Sequence, residues 1–246
     1  MEFFNAIGQV WSKYWSMFLA GVGNTMLIAL TSTLIGIIIG VIIGIIRTTP
    51  SSKHAAVRVL QKIINAIIYV YVEVFRGTPM MVQAMVIYWG YAFIMDGQTL
   101  PLIPSAIFIV SINTGAYVAE IVRGGIISID KGQFEGAQAI GMGHLTTMIH
   151  IVMPQVLRNI LPALSNEFVI NIKDTSVLNV IGVTELYYQS YSIGTITYKL
   201  FPVYAITCLI YFILTFVVTR ILKLVEKKMD GKENYKLEQA EDTEVR

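Results

Sequence analysis

The sequence predicts an all-α fold, a polytopic membrane helix bundle of about five transmembrane helices with a helical cytoplasmic loop. Three observations predict it. First, 55% of the 246 residues are hydrophobic and only 14% are charged, against about 25% charged in a soluble domain, so lipid replaces water over much of the surface. Second, residues 20–46, 79–95, 105–119 and 201–219 carry no charge, and about 20 apolar residues cross a bilayer. Third, Lys and Arg gather at one set of chain ends and loops, as the positive-inside rule requires.

The elements follow in order. Residues 1–19 have no basic leader region, so they are expected to stay on the chain rather than be cleaved. Trp11, Tyr14 and Trp15 fit an extracytoplasmic, interfacial segment at headgroup level. The run 20–46 opens a transmembrane domain expected over 20–225. Gly36, Gly40 and Gly44 share one face of it, a spacing that admits close helix packing within the chain or between two copies. Residues 55–76 place Arg58, Gln61, Lys62, Asn65, Glu73 and Arg76 near one helical face, which predicts an amphipathic helix lying on the membrane or packed along its edge. Gly77-Thr78-Pro79 ends it, and 79–95 is a short span. A turn at 96–104 leads to a span from 105 to about Arg123. Residues 160–172 are apolar but interrupted by Glu167 and Asn171, so that helix faces protein or a cavity. The run 201–219 is the last span, and 226–246 is a densely charged tail expected in the cytoplasm.

Charge sets the topology. Arg47, Lys53, Arg58 and Lys62 follow the first span, and Lys223, Lys227, Lys228 and Lys232 follow the last. The 96–104 and 186–198 connections are less basic. This puts 47–62, 123–158 and the C-terminus in the cytoplasm and the N-terminus outside, in a multi-pass protein of the plasma (inner) membrane.

Several chemistries are disfavoured. The balance of +2 and the lack of a basic stripe interleaved with aromatics argue against nucleic acid. The single Cys208 rules out a disulfide framework within the chain. His54, His144 and His150 have no paired ligands, so neither a metal nor another cofactor is expected. No G-x-x-x-x-G-K-[ST] motif occurs, so the chain is not expected to be an ATPase of the P-loop type or another enzyme. The polar groups inside the spans are the better candidates. Glu167, Asn171 and Asp174 form a stripe along one helix face. With Asn113 they are the candidates for a substrate path that holds a zwitterionic head group; interhelical hydrogen bonding is the alternative. Glu120 is three residues from Arg123, which suits pairing on a helix surface.

Residues 135–154 read EGAQAIGMGHLTTMIHIVMP. Phe134, Ala137, Ala139 and Ile140 suit a short helix, Gly141 and Gly143 break it, and a second run from Leu145 to Met153 is expected to end at Pro154. Helix, glycine, helix at a membrane surface suits a docking knob. The spacing resembles the cytoplasmic Glu-Ala-Ala loop of ABC importer permeases, with Glu135, Ala137, Gly141, Ile151 and Pro154 in register. Gly136 stands where the family has Ala, and Met153 where it has Leu. Together with VEVFRGTPMMVQ (72–83), INTGAYVAEIVRGGI (112–126) and ALSNEFVINIKDTSVLNVIGVTEL (163–186), the chain is similar to the polar amino acid uptake permeases over about 18–225. The resemblance implies a translocation subunit, not a whole transporter. It implies a second permease subunit, identical or paralogous, and two cytoplasmic ATP-binding cassette subunits docked on the loop. It also implies an extracytoplasmic binding protein that delivers the amino acid. A stand-alone secondary transporter or channel is the alternative, and it would need its own coupling-ion site.

Overall fold

The computed structural model describes residues 2–229, and every element in it is helical. The helices are α1 (Glu2–Thr48), α2 (Ala55–Gly77), α3 (Met80–Ile94), α4 (Leu102–Ile127), α5 (Lys131–Ala139), α6 (His144–Thr147), α7 (Met153–Asp174), α8 (Leu186–Thr197) and α9 (Leu200–Met229). A π-helical turn, Met148–Val152, joins α6 to α7, and a 3₁₀ segment, Thr175–Ile181, follows α7. Helices α1, α2, α4 and α9 are each long and apolar enough to cross a membrane. The charged tail from 230 onward lies outside the described residues.

The pairing of α1 with α4 organises the bundle, and glycine makes it possible. A Cβ on Gly36 would stand 2.8 Å from Thr114, one on Gly40 2.5 Å from Val118, and one on Gly44 2.5 Å from Val122. The partner numbers rise together, so the two helices are parallel. The glycine stripe is therefore used up within the chain and not at a dimer contact. Ser32 donates to the carbonyl of Ile107 in the same seam, at 3.2 Å. At the far end Arg47 pairs with Glu120, which also takes Arg123 Nη2 at 2.9 Å. The helix-surface pair expected from sequence is thus a three-residue cluster tying α1 to α4.

The chain makes no boundary at residue 19. α1 is one helix of 47 residues, about 70 Å long at 1.5 Å per residue, well beyond a hydrocarbon core of about 30 Å. Its first turns do not stand apart from the bundle. They pack with α8 and α9 through Val10, Phe18, Leu186, Ile193, Val203 and Ile206, and Lys199 Nζ reaches Gln9 Oε1 at 2.7 Å.

Residues 55–76 also depart from expectation. α2 does not lie flat. Its start is tied to the α1–α2 turn, where Gln61 accepts from Ser52 N at 2.8 Å. Its end reaches into the bundle, where the Tyr71 hydroxyl donates to Ile112 O at 2.5 Å. It therefore climbs along α4 in the opposite direction. It breaks at Thr78-Pro79, and α3 continues against the first half of α4, with Ala84 and Tyr88 in one core with Ala106, Ile109 and Val110. α2 and α3 are one broken crossing, so the number of crossings stays as expected. Amphipathicity misled because a helix with one side on a polar space and another on lipid has the same periodicity as one lying at an interface. On α2, Arg58, Lys62, Glu73 and Arg76 are exposed on one side, while Val59, Leu60, Ile63, Ile67 and Val70 are exposed on the other.

α7 runs antiparallel to α4. Ile160 meets Gly125 near one end, and Asn171 meets Thr114 further along. The span from 105 extends past Arg123 to Ile127.

Candidate functional site

The element between α4 and α7 is built as a rigid knob. Asp130 caps α5, its side chain accepting from Gly132 N at 2.6 Å. Ala137 is buried, and Phe134 packs against the core cluster that contains Ile126, Ile129, Met148, Val152 and Val156. α5 closes with paired bonds, Met142 N to Ala137 O at 3.0 Å and Gly141 N to Gln138 O at 2.9 Å. This closure needs a left-handed residue, and Gly141 has φ +79°. Glu135 and Gly136 are on the outer side, and a Cβ on Gly136 would meet nothing within 4 Å. An alanine would therefore fit here as well. The outer rim carries Ile140 (77% exposed), Leu145 (69%) and Ile149 (53%).

Pro154 does not end the second helix. The helical path runs from His144 to Asp174, with Pro154 in the first turn of α7. Proline lacks an N–H and its ring clashes with the carbonyl four residues back. The wider π turn just before it, which includes half-buried Ile151, re-spaces those carbonyls.

The polar candidates separate into two kinds. Asn171 is buried and holds three helices together. Its Nδ2 donates to Thr33 Oγ1 at 2.8 Å and Thr114 Oγ1 at 3.0 Å. Asn113 is also spent on structure, donating to Gln83 Oε1 at 2.9 Å. Gln83 in turn donates to Phe75 O and Thr78 O, each at 2.9 Å, carbonyls freed by the break before Pro79. Neither asparagine has its side chain on an open surface. Glu167 is half-buried and Asp174 exposed, and neither is ion-paired among the described residues. The expected stripe therefore exists along α7, but its middle member is locked inside the bundle.

Sequence reading passed over Glu185. Its carboxylate is fully buried and caps α8, accepting from Tyr187 N at 2.9 Å, Tyr188 N at 2.7 Å and the Tyr211 hydroxyl at 2.9 Å. The neighbouring backbone is fixed to α1, with Asn24 Nδ2 donating to Thr184 O at 2.7 Å. The available signal was an acidic residue just ahead of a helix-forming run.

A broken crossing, an antiparallel helix with a polar face, and a rigid knob between them form an arrangement with known counterparts. The profile of the family "Binding-protein-dependent transport system inner membrane component" matches residues 36–231. The chain belongs to this family. The L-cystine transport system permease protein TcyB of Bacillus subtilis is 33% identical over 222 residues, 90% of this chain and 90% of that protein. The glutamine transport system permease protein GlnP of Escherichia coli is 37% identical over 167 residues, 68% of this chain and 76% of that protein. Among solved structures, an amino acid ABC transporter crystallised with histidines superposes with TM-score 0.75 at 34% identity, over 88% of this chain and 96% of that one. The MetNI methionine ABC transporter gives TM-score 0.72 at 17% identity over 88% and 98%, which shows the shared fold. Membership makes the chain a multi-pass membrane component of a binding-protein-dependent system, and it excludes a stand-alone channel or secondary transporter.

Proposed function

We propose that this chain is the translocating subunit of an amino acid importer driven by ATP hydrolysis on separate cytoplasmic subunits. The observation that carries the reading is the knob of residues 131–152. Its inner side packs into the core shared with α4 and α7 through Phe134, Met148 and Val152, while its rim presents Ile140, Leu145 and Ile149. An exposed apolar rim on a rigid base suits a partner protein. In this reading Glu135, Gly136, Ala137, Gly141, Ile151 and Pro154 form the coupling loop to the ATP-binding cassette subunits. The Lys and Arg distribution supports a cytoplasmic position for this end and an outside N-terminus. The relatives transport glutamine and cystine by their names, which supports an amino acid substrate.

A second permease subunit, identical or paralogous, completes the path. Glu73 and Arg76 of α2 and Asn166, Lys173 and Asp174 of α7 are exposed on the isolated chain. Facing lipid, each charged one would cost about 2.5–3.5 kcal/mol at a helix centre. They therefore face a polar space between two subunits, with Glu167 and Asp174 lining the substrate path. Rocking of the two subunits, driven from the knob, alternates access to it, and an extracytoplasmic binding protein supplies the substrate. Affinity purification from membranes tests the assembly. A protein carrying a Walker A motif should co-purify with the tagged chain, and its consistent absence from an active preparation would refute the reading.

A further inference from the structure

We propose that Glu120 is a positioning residue of the transport cycle, whose bond to Arg47 makes the end of α1, and with it the start of α2, follow the knob. This role rests on the importer reading. Both ion pairs among the described residues converge on this one carboxylate. One oxygen takes Arg47 Nη1 from α1, and the other takes Arg123 Nε at 3.0 Å and Nη2 at 2.9 Å from α4 itself. Arg123 thus fixes the orientation in which Glu120 meets Arg47. The side chains of Arg47 and Glu120 are 17% and 18% exposed, and that of Arg123 is 36% exposed. Closing the seam does not require them. Gly36, Gly40 and Gly44 already bring α1 close onto α4, and a largely buried ion pair adds little net stability over apolar residues of similar volume. What it adds is a directional link one turn beyond Gly44, the last glycine of the stripe.

The link stands on a continuous path. Val118 and Val122, on either side of Glu120 along α4, share one core with Met148 and Val152 of the knob, and Phe134 packs against it. Close-packed side chains transmit displacement, so a movement of the knob reaches α4. Ile45 of α1 packs against the same core, but apolar contacts let packed helices slide by small steps. The charge-assisted bond of Arg47 fixes the register. Arg47 lies in the last turn of α1. The turn that follows is bound to the start of α2, where Gln61 accepts from Ser52 N at 2.8 Å and donates to Pro50 O at 3.2 Å. Displacement therefore passes from the knob through α4, Glu120 and Arg47 to the base of α2, the first part of the broken crossing.

Uptake per ATP hydrolysed tests the role, measured in liposomes at equal amounts of assembled permease–ATPase complex. The binding protein is outside, ATP is inside, and the probe is a radiolabelled mixture of the common L-amino acids. Glu120→Gln and Arg47→Gln should each lower the ratio about tenfold, the effect of losing a charge-assisted bond, while ATP hydrolysis persists. Arg123→Gln should lower it only about twofold, the worth of a pair within one helix. The triple reversal Arg47→Glu, Glu120→Arg and Arg123→Glu keeps both bonds and should regain most of the ratio. A purely structural role would reduce the amount of complex and leave its ratio at the wild-type value, so that result overturns the proposal. A second measurement needs no change to the cluster. With Cys208→Ser and spin labels on cysteines at Thr49 and Gln138, the separation of the α1 end from the knob should stay constant when the ATPase subunits bind nucleotide. A separation that changes overturns the role and leaves the importer reading intact. Absence of ATP-driven uptake in the wild-type complex strikes the importer reading and this role with it.

Discussion

Gly125→Ala should loosen the junction between α4 and α7, and Ile160→Ala should compensate for it. A Cβ on Gly125 would stand 2.4 Å from Ile160 Cγ2 and 3.1 Å from Val156 Cγ1, whereas Ile160 Cβ is 4.0 Å away. One methyl group makes the clash. It belongs to a β-branched side chain held in one rotamer by its helix, so it cannot swing aside. The alanine must displace α7 and should cost about 1–3 kcal/mol. Ile160→Ala alone leaves a cavity and should cost about 2–5 kcal/mol. In the double variant the new methyl enters the space that Ile160 Cγ2 leaves. The two costs should then fall short of their sum by about 1–2 kcal/mol, within the range of coupling between touching residues. Reversible unfolding in mixed micelles, followed by circular dichroism, gives all three values. Additivity to within about 0.5 kcal/mol would refute the packing argument. The junction lies directly above the knob, so uptake by the single glycine variant should fall while ATPase binding persists.

Gly141 separates backbone strain from surface bulk. Its φ is +79° and a Cβ there would meet nothing within 4 Å, so Gly141→Ala should cost only the left-handed conformation, about 1–2 kcal/mol. Gly141→Trp adds bulk toward the partner, so vesicle uptake should fall further at normal membrane levels; wild-type uptake in this variant would remove the docking role. A cysteine at Thr99 should react with an impermeant thiol reagent from outside, and one at His144 only after permeabilisation; external labelling at 144 reverses the topology. Glu185→Ala leaves the N–H groups of Tyr187 and Tyr188 without their acceptor and should destabilise by about 1.5–3 kcal/mol, because the lost bonds are to a carboxylate. An unfolding midpoint unchanged from wild type would contradict that role.

Much of the architecture was legible because it rests on local patterns. Uncharged runs marked the spans, Gly141 marked the turn, and Glu120 lay within reach of Arg123. What the sequence withheld was the opposite side of each contact. A polar residue in a span reports that its face avoids lipid, but Asn171 meets two threonines and Asn113 meets a glutamine, while Glu167 meets no such partner among the described residues. The same pattern thus covered both a structural bond and a candidate path residue. Arg47 lies 73 residues from Glu120, a separation that no periodicity reveals. Pro154 read as a helix end because the π turn that accommodates it has no sequence signature of its own. The Gly36, Gly40 and Gly44 stripe announced close packing but not its partner, which the α1–α4 seam supplies.

This chain should move an amino acid only when ATP is hydrolysed on subunits held at its knob. Reconstitution of the co-purified complex in liposomes, with its binding protein on the outside and ATP trapped inside, tests it most directly. Uptake of a radiolabelled amino acid should require ATP and the binding protein, and should be lost in Gly141→Trp while the complex stays assembled. Equal uptake without ATP, driven by an ion gradient across the chain alone, would contradict the account.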